Sequence, residues 1–239
     1  MSQDESVLVD TALVPDPDAG EELGPTDVEA IADEDLRGSR LLLVRRAVEP
    51  VDLEGTPGGA IEFACTFQPA RGTRFTWARL LLRLKTPAGV KIIDLAPREV
   101  RENEPVRFTL DRSGKLALSY QIVEAGVEAG RQKEFAVYQC SVQGSGEGTA
   151  LARWDFNESP HRKDGIGREQ PLALTLPVTG RVEGTVSVSA RCARTSLRGR
   201  IEALRDMVLG GPDEQHYPVS FEIPESQPPT GFARFLRLF

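Results

Sequence analysis

From residue 40 onward, apolar and polar residues alternate along most of the chain, a period typical of β-strands rather than helices. The clearest stretch is 181–191, where Val182, Val186 and Val188 fall on one side and charged or hydroxyl-bearing residues fall on the other. Similar alternation marks five further stretches: 61–67, 106–110, 116–122, 172–178 and 217–223. Short turns rich in glycine, proline and aspartate separate several of them, as expected for hairpins.

About ten short strands at this spacing predict a mainly β protein, either an antiparallel β-sandwich or a partly open barrel. We assign this body to residues 39–223. The glycine-rich run 144–148 divides it into possible sub-halves, 39–143 and 149–223. The regular alternation of strands and helices that indicates a parallel α/β fold is not seen in the pattern.

One stretch departs from the period of two and predicts an α-helix over 196–209. Its apolar residues are spaced four, three and four apart, which places them on one helical face. They are Leu197, Ile201, Leu204 and Val208. Ser196 is a suitable N-cap, and Gly210 would end the helix. Gly199 costs about 1 kcal/mol relative to alanine, so we expect this helix to need packing against the sheets.

The charge of the chain is unevenly distributed. Residues 1–38 hold twelve acids and one base, a net charge of −11; because the whole chain is −7, the remainder carries +4. The segment has no aromatic residue and contains three prolines. Low hydrophobicity combined with high like charge predicts that 1–38 is an acidic, disordered tail.

Composition narrows the function classes. The chain is 40% hydrophobic, enough to form a core. The three cysteines lie far apart, so neither a disulfide framework nor a metal site is predicted. No phosphate-binding loop occurs, so no cofactor is predicted, and no nucleophile elbow marks a catalytic serine. A membrane-spanning helix needs about 18 consecutive apolar residues. No stretch approaches that length and no basic-then-apolar leader occurs, so we expect a cytoplasmic protein.

The stretch 153–167 concentrates polar side chains directly after a predicted strand, where loops often carry function. His161 could act as a general base oriented by Asp155 or Asp164, as in a hydrolase. Further candidates for binding in this loop are Trp154, Asn157 and Glu158. A purely structural interpretation is also open, in which the tryptophan anchors the strand and the charged residues form a salt-bridged turn.

The C-terminal residues combine a spacer and an aromatic peptide. Residues 224–230 are polar and proline-rich, and four apolar residues follow at the spacing of one helical face. These are Phe232, Phe235, Leu236 and Phe239, interspersed with Arg234 and Arg237. The peptide could pack on its own body, insert into a groove of a partner, or lie on an anionic membrane.

Together these features predict a non-catalytic protein–protein interaction or assembly module, which docks partners through the C-terminal peptide and the loops at the sheet ends. Nucleic-acid partners are disfavoured because the basic residues of the body are scattered, and a membrane is disfavoured because the C-terminal peptide carries only two positive charges. Two alternatives stay open: a hydrolase using the 155–164 loop, and a β-sandwich that binds a small ligand or carbohydrate. Exposure of Trp77 or Trp154 on a sheet face would favour the carbohydrate alternative.

Overall fold

The computed structural model describes residues 5–15, 29–102, 106–110, 116–119, 133–137, 140–166, 169–195, 201–209 and 216–225. These residues form sixteen strands and one short 3-10 helix, Asp33–Leu36. The strands are β1 (Ser6–Pro15), β2 (Glu29–Ala30), β3 (Arg40–Leu53), β4 (Thr56–Gln68), β5 (Thr73–Thr86), β6 (Asp94–Ala96), β7 (Glu99–Arg101), β8 (Val106–Leu110), β9 (Leu116–Ser119), β10 (Lys133–Val137), β11 (Cys140–Ser145), β12 (Leu151–Asn157), β13 (Glu169–Leu176), β14 (Gly180–Thr195), β15 (Ile201–Leu209) and β16 (Tyr217–Ile223).

Most of the strands form two antiparallel layers. We name the layer β6-β13-β4-β3-β1 sheet A and the layer β15-β14-β5-β12-β11-β7 sheet B. In sheet B, β16 also pairs with β14, and β2 adds to β15 in parallel. A separate small sheet has the order β10-β8-β9. The predicted mainly β, antiparallel sandwich is therefore confirmed.

The hydrophobic core lies between the two layers. Phe67 of sheet A packs edge-to-face on Phe75 and Phe156 of sheet B, with ring centroids 6.0 and 5.2 Å apart. Phe63 of sheet A contacts Phe221 of β16 at 6.1 Å in the same way. The alternation predicted for 181–191 is present in β14, whose residues 182, 184, 186, 188 and 190 are buried. Burial of these alternate positions provides the main stabilising term of the sandwich.

The two layers are joined differently at their two edges. At one edge β1 belongs to both sheets, because Ser6–Ala12 pairs with β3 and Leu13–Pro15 pairs with β15. At the other edge the chain passes from β6 in sheet A to β7 in sheet B. Among the described strands, no backbone hydrogen-bond ladder joins the sheets at that second edge, so the sandwich stays open there.

The prediction of disorder over 1–38 is wrong for the residues of this segment that the structure describes. Ser6–Pro15 is a strand, and Val9 and Leu13 are buried in the core together with Ile31 and Leu36. The acidic composition did not prevent this, because β1 holds one charged residue, Asp10, which faces solvent while Val9 and Leu13 face inward. Residues 1–4 and 16–28 lie outside the described residues.

The α-helix predicted over 196–209 is wrong. Ile201–Leu209 is strand β15, which pairs with the C-terminal half of β14 on one side and with β1 on the other. Two neighbouring strands offer hydrogen bonds to its backbone, and this tertiary pairing outweighs a helical pattern already weakened by glycine. Residues 196–200 lie outside the described residues.

The proposed sub-halves share both sheets. Strand β13 pairs with β4, and β14 pairs with β5, so strands from before and after the run 144–148 are neighbours in each layer. Within the described parts of the chain, no helix is long and apolar enough to cross a membrane.

Candidate functional site

A cleft of about 1090 Å³ lies at the open edge of the sandwich. Glu169–Ala173 of β13 forms one wall, and β7, β11 and the loop that follows β12 form the other. Alternate residues of a strand point to opposite faces. The cleft therefore reaches the inward-facing Leu172 as well as the outward-facing Pro171 and Ala173, wrapping around the edge of sheet A.

The cleft exists because the crossing strand covers only part of this edge. β6 pairs with residues 173–175 of β13, and no described strand pairs with Glu169–Leu172 on that side. The chain then continues through Pro97 and Arg98, whose carbonyl oxygen accepts a 2.8 Å hydrogen bond from the Gly144 N–H. A Cβ on Gly144 would overlap the Pro97 carbonyl oxygen, so glycine is what lets the crossing segment lie against β11.

The uncovered part of β13 is poorly suited to pairing with another strand. The carbonyl oxygen of Thr175 accepts a 2.9 Å hydrogen bond from the Ile93 N–H, so the backbone groups of Thr175 point toward this edge. By the alternation of an antiparallel ladder, those of Ala173 and Pro171 point the same way. Pro171 has no N–H to donate. We therefore expect a ligand in the cleft to be held mainly through side chains.

The lining of the cleft combines apolar surface with carboxylates. Leu172, Phe63 and Val142 are buried beneath it, whereas Val100 is 42% exposed. Three acidic side chains in the lining form no ion pair or hydrogen bond with any described residue: Glu62, Glu102 and Asp164.

Basic residues only partly balance this acidity. Arg46 forms an ion pair with Glu169 at 2.8 Å, and Arg162 is the other base of the described lining. The lining therefore carries four acids against two bases, and it favours a ligand with positive charge beside apolar groups.

The loop wall of the cleft is fixed by a buried ion pair. Glu158 accepts hydrogen bonds from Arg74 Nε at 2.5 Å and from the Gly165 N–H at 2.8 Å. The Arg74 and Glu158 side chains are only 9% and 12% exposed. The Ile166 N–H also donates to the Phe75 carbonyl oxygen at 2.9 Å. These contacts attach residues 158–166 to the start of β5.

The residues predicted from the 153–167 stretch are separated by the fold. Asp155 lies on the outer face of sheet B, where it accepts hydrogen bonds from Arg79 and Arg153, each at 2.6 Å. Asp164 lines the cleft, and His161 is exposed in the same loop, with its backbone N–H donating to Ser159 Oγ at 3.3 Å. The hydrolase role of these residues stays a prediction, with Asp155 already held by two guanidinium groups.

The two tryptophans lie in different environments. Trp154 is buried in the core, and its Nε1–H meets no acceptor among the described residues. Trp77 is half-buried on the outer face of sheet B, where the Arg79 guanidinium lies 5.2 Å from its ring centroid. This cation–π contact occupies a face of the ring on which a sugar would stack.

A second cavity of about 400 Å³ lies beside the first, and Asn157 and Ser159 line both. Cys140 lines the smaller cavity, and its thiol donates to Glu99 Oε1 at 3.1 Å. Partial burial, helped by this hydrogen bond, raises the pKa of Cys140 to about 11. A thiol with so high a pKa is a weak nucleophile at neutral pH.

Several cleft residues were not predicted from the sequence. Glu62 lies on β4, whereas Val100 lies on β7 and Glu102 directly follows it; none carries a local motif, so only their convergence at one edge marks them. No cluster of three potential metal ligands occurs among the residues that the structure describes. The predicted partner-binding residues of the C-terminal peptide, 232–239, lie outside that part of the chain.

Comparisons with known proteins give little further information. No protein-family model matches the chain, and no curated protein matches it in sequence. Among solved structures, a chain described as a pore forming protein aligns over 77% of this chain and 86% of its own, with 12% sequence identity and a TM-score of 0.35. A likeness at this level supports no inference about function.

Proposed function

We propose that this protein is a non-catalytic interaction module that binds a basic, apolar segment of a partner protein in the cleft beside β13. One observation carries the proposal: a single large cleft is lined by partly exposed apolar surface and by three carboxylates, Glu62, Glu102 and Asp164, that pair with no described residue. Contiguous apolar surface rimmed by polar groups is typical of binding sites.

The shape of the cleft favours a peptide segment over a small molecule. Its volume of about 1090 Å³ lies just above the usual range for small-molecule sites, roughly 300–1,000 Å³. It also follows the edge of a strand and opens toward both faces of sheet A. Pro171 disfavours strand addition, so partner side chains that fill the apolar floor would supply the affinity.

The functional groups in the cleft support binding more than catalysis. Its described lining contains no histidine, cysteine or lysine. Of its two serines, Ser141 donates its hydroxyl to the Val100 carbonyl oxygen at 3.1 Å, and Ser159 accepts from the His161 N–H. Both hydroxyls thus take part in local backbone contacts.

The test is a pull-down from native lysate with matched baits. We expect partners retained by the wild type to be lost with Val100→Glu and with the double variant Glu62→Lys, Asp164→Lys. The controls are Ile93→Glu, an exposed apolar site that is not in the cleft lining, and Glu222→Lys on β16. Retention should also weaken as salt screens the carboxylates. Equal retention by cleft variants and controls would refute the cleft as the partner site.

A further inference from the structure

The charge and shape of the cleft match a stretch of this same chain. Residues 231–239 contain three of the ten phenylalanines and two arginines, with no acidic residue. A segment of this composition supplies aromatic side chains for the apolar floor, including Val100, which is 42% exposed, and cations for Glu62, Glu102 and Asp164. It is the same class of ligand that the cleft would take from a partner.

The distance from the end of β16 to the cleft is short enough for residues 231–239 to bind the cleft of their own chain. Phe221 of β16 contacts Phe63, which lines the cleft. Ile223 packs against Gly59, where the lack of a side chain leaves room for it. Gly59 and Phe63 are four residues apart on β4, about 13 Å at 3.3 Å per residue. Residues 224–231 can span up to about 26–29 Å, enough to pass around the edge strand.

We propose that residues 231–239 occupy the cleft of their own chain and compete there with the partner segment. This autoinhibitory contact rests on the proposed function, because both ligands use the same carboxylates and apolar floor. A short tether gives an effective concentration of about 1 mM. For a Kd of about 10 µM between the cleft and the untethered 231–239 segment, the tethered copy would weaken the apparent affinity of the partner segment about 100-fold.

The experiment measures fluorescence anisotropy of a labelled synthetic peptide, residues 229–239, with the full-length protein. We expect the peptide to bind at least 10-fold more tightly to full-length Phe235→Asp, Leu236→Asp than to the wild type, because the tethered competitor is disabled. Adding Glu62→Lys and Asp164→Lys to that variant should weaken binding at least 10-fold. Adding Glu222→Lys instead is the matched control and should leave it unchanged.

Three results would overturn the proposal. The first is no peptide binding to any variant, and the second is equal affinity for the wild type and the Phe235→Asp, Leu236→Asp variant. The third is a molar mass that doubles as the concentration of wild type rises but not as that of the Phe235→Asp, Leu236→Asp variant rises. The last would place the segment in the cleft of a second copy. The pull-down distinguishes the two proposals. Loss of partner from cleft variants without peptide binding refutes only the autoinhibitory contact, whereas partner retention by cleft variants refutes the proposed function.

Discussion

Replacing Glu158 by glutamine should destabilise the fold by about 3 kcal/mol, well beyond the effect of deleting a surface ion pair. Glutamine keeps the size of the side chain and one carbonyl acceptor, but removes the negative charge. The buried Arg74 guanidinium would then lose its counter-ion. Because Arg74 Nη2 already has no partner among the described residues, little compensation is available nearby.

The magnitude follows from burial. Removing one partner of a buried ion pair costs about 3–5 kcal/mol, since the other charge stays desolvated. With 9% and 12% of the two side chains still exposed, the lower end of that range applies. For a chain of 239 residues this corresponds to a fall in Tm of roughly 6–12 °C, at about 2–4 °C per kcal/mol.

Urea unfolding followed by far-UV circular dichroism measures the change, with Asp10→Asn as the control. Asp10 pairs with Arg40 at 2.6 Å, but 47% and 49% of the side chains are exposed, so its loss should cost at most about 1 kcal/mol. The double variant Arg74→Met, Glu158→Leu should be more stable than the sum of the single changes predicts, because it leaves no buried charge unpaired.

A loss below about 1 kcal/mol for Glu158→Gln, equal to that of Asp10→Asn, would refute the reasoning. It would show that water reaches the Arg74 guanidinium and that the 158–166 loop is not fixed by this pair. A loss of about 3 kcal/mol with additive single variants would also contradict it, since the coupling between the two charges is the stated cause.

Other predictions test the core, the thiol and the open edge. Phe67→Ala should cost about 3–5 kcal/mol in urea unfolding, because it opens a cavity between the sheets; a cost below 1 kcal/mol would mean that the layers close over it. At pH 8 Cys140 should react slowly with iodoacetamide, because its pKa is raised to about 11. Glu99→Gln removes the carboxylate that helps to raise this pKa, so it should accelerate alkylation severalfold. An unchanged alkylation rate, measured by mass spectrometry, would contradict this. The hydrogen bond from Arg98 lowers the pKa of Asp94, so the free energy of unfolding of the wild type should fall slightly as pH falls through that lowered pKa. Asp94→Asn should show no such fall. Identical dependence of the unfolding free energy on pH in the two proteins would refute this role.

The sequence predicted the sandwich because its strands are half-buried. A strand with one face in the core and one in water must alternate, and β14 shows this over residues 181–191. The same signal was present in β1, where Val9 and Leu13 alternate with exposed residues. Averaging charge over 38 residues concealed a ten-residue strand, so composition should be weighed over windows of strand length.

The error at β15 has a different cause. The apolar spacing of 197–208 fits a helix, and nothing local reveals that β14 extends far enough to need a further partner strand. Among the cleft residues, Asp164 and Asn157 were predicted because polar residues cluster after β12. Glu62 and Val100 could not be, since their meeting depends on strand register and on the crossing from β6 to β7.

The location of the cleft follows from how this sandwich ends. An open sheet edge exposes unpaired backbone groups, and proteins protect such edges with short strands, prolines and charged residues. Here β6 is three residues long, Pro171 removes a donor, and Arg98 and Asp94 form an ion pair at 3.0 Å beside them. Protection by side chains rather than by another strand leaves volume between the layers. Under the proposed function, that volume would hold a ligand through side chains, while the protected edge stays poorly suited to strand pairing.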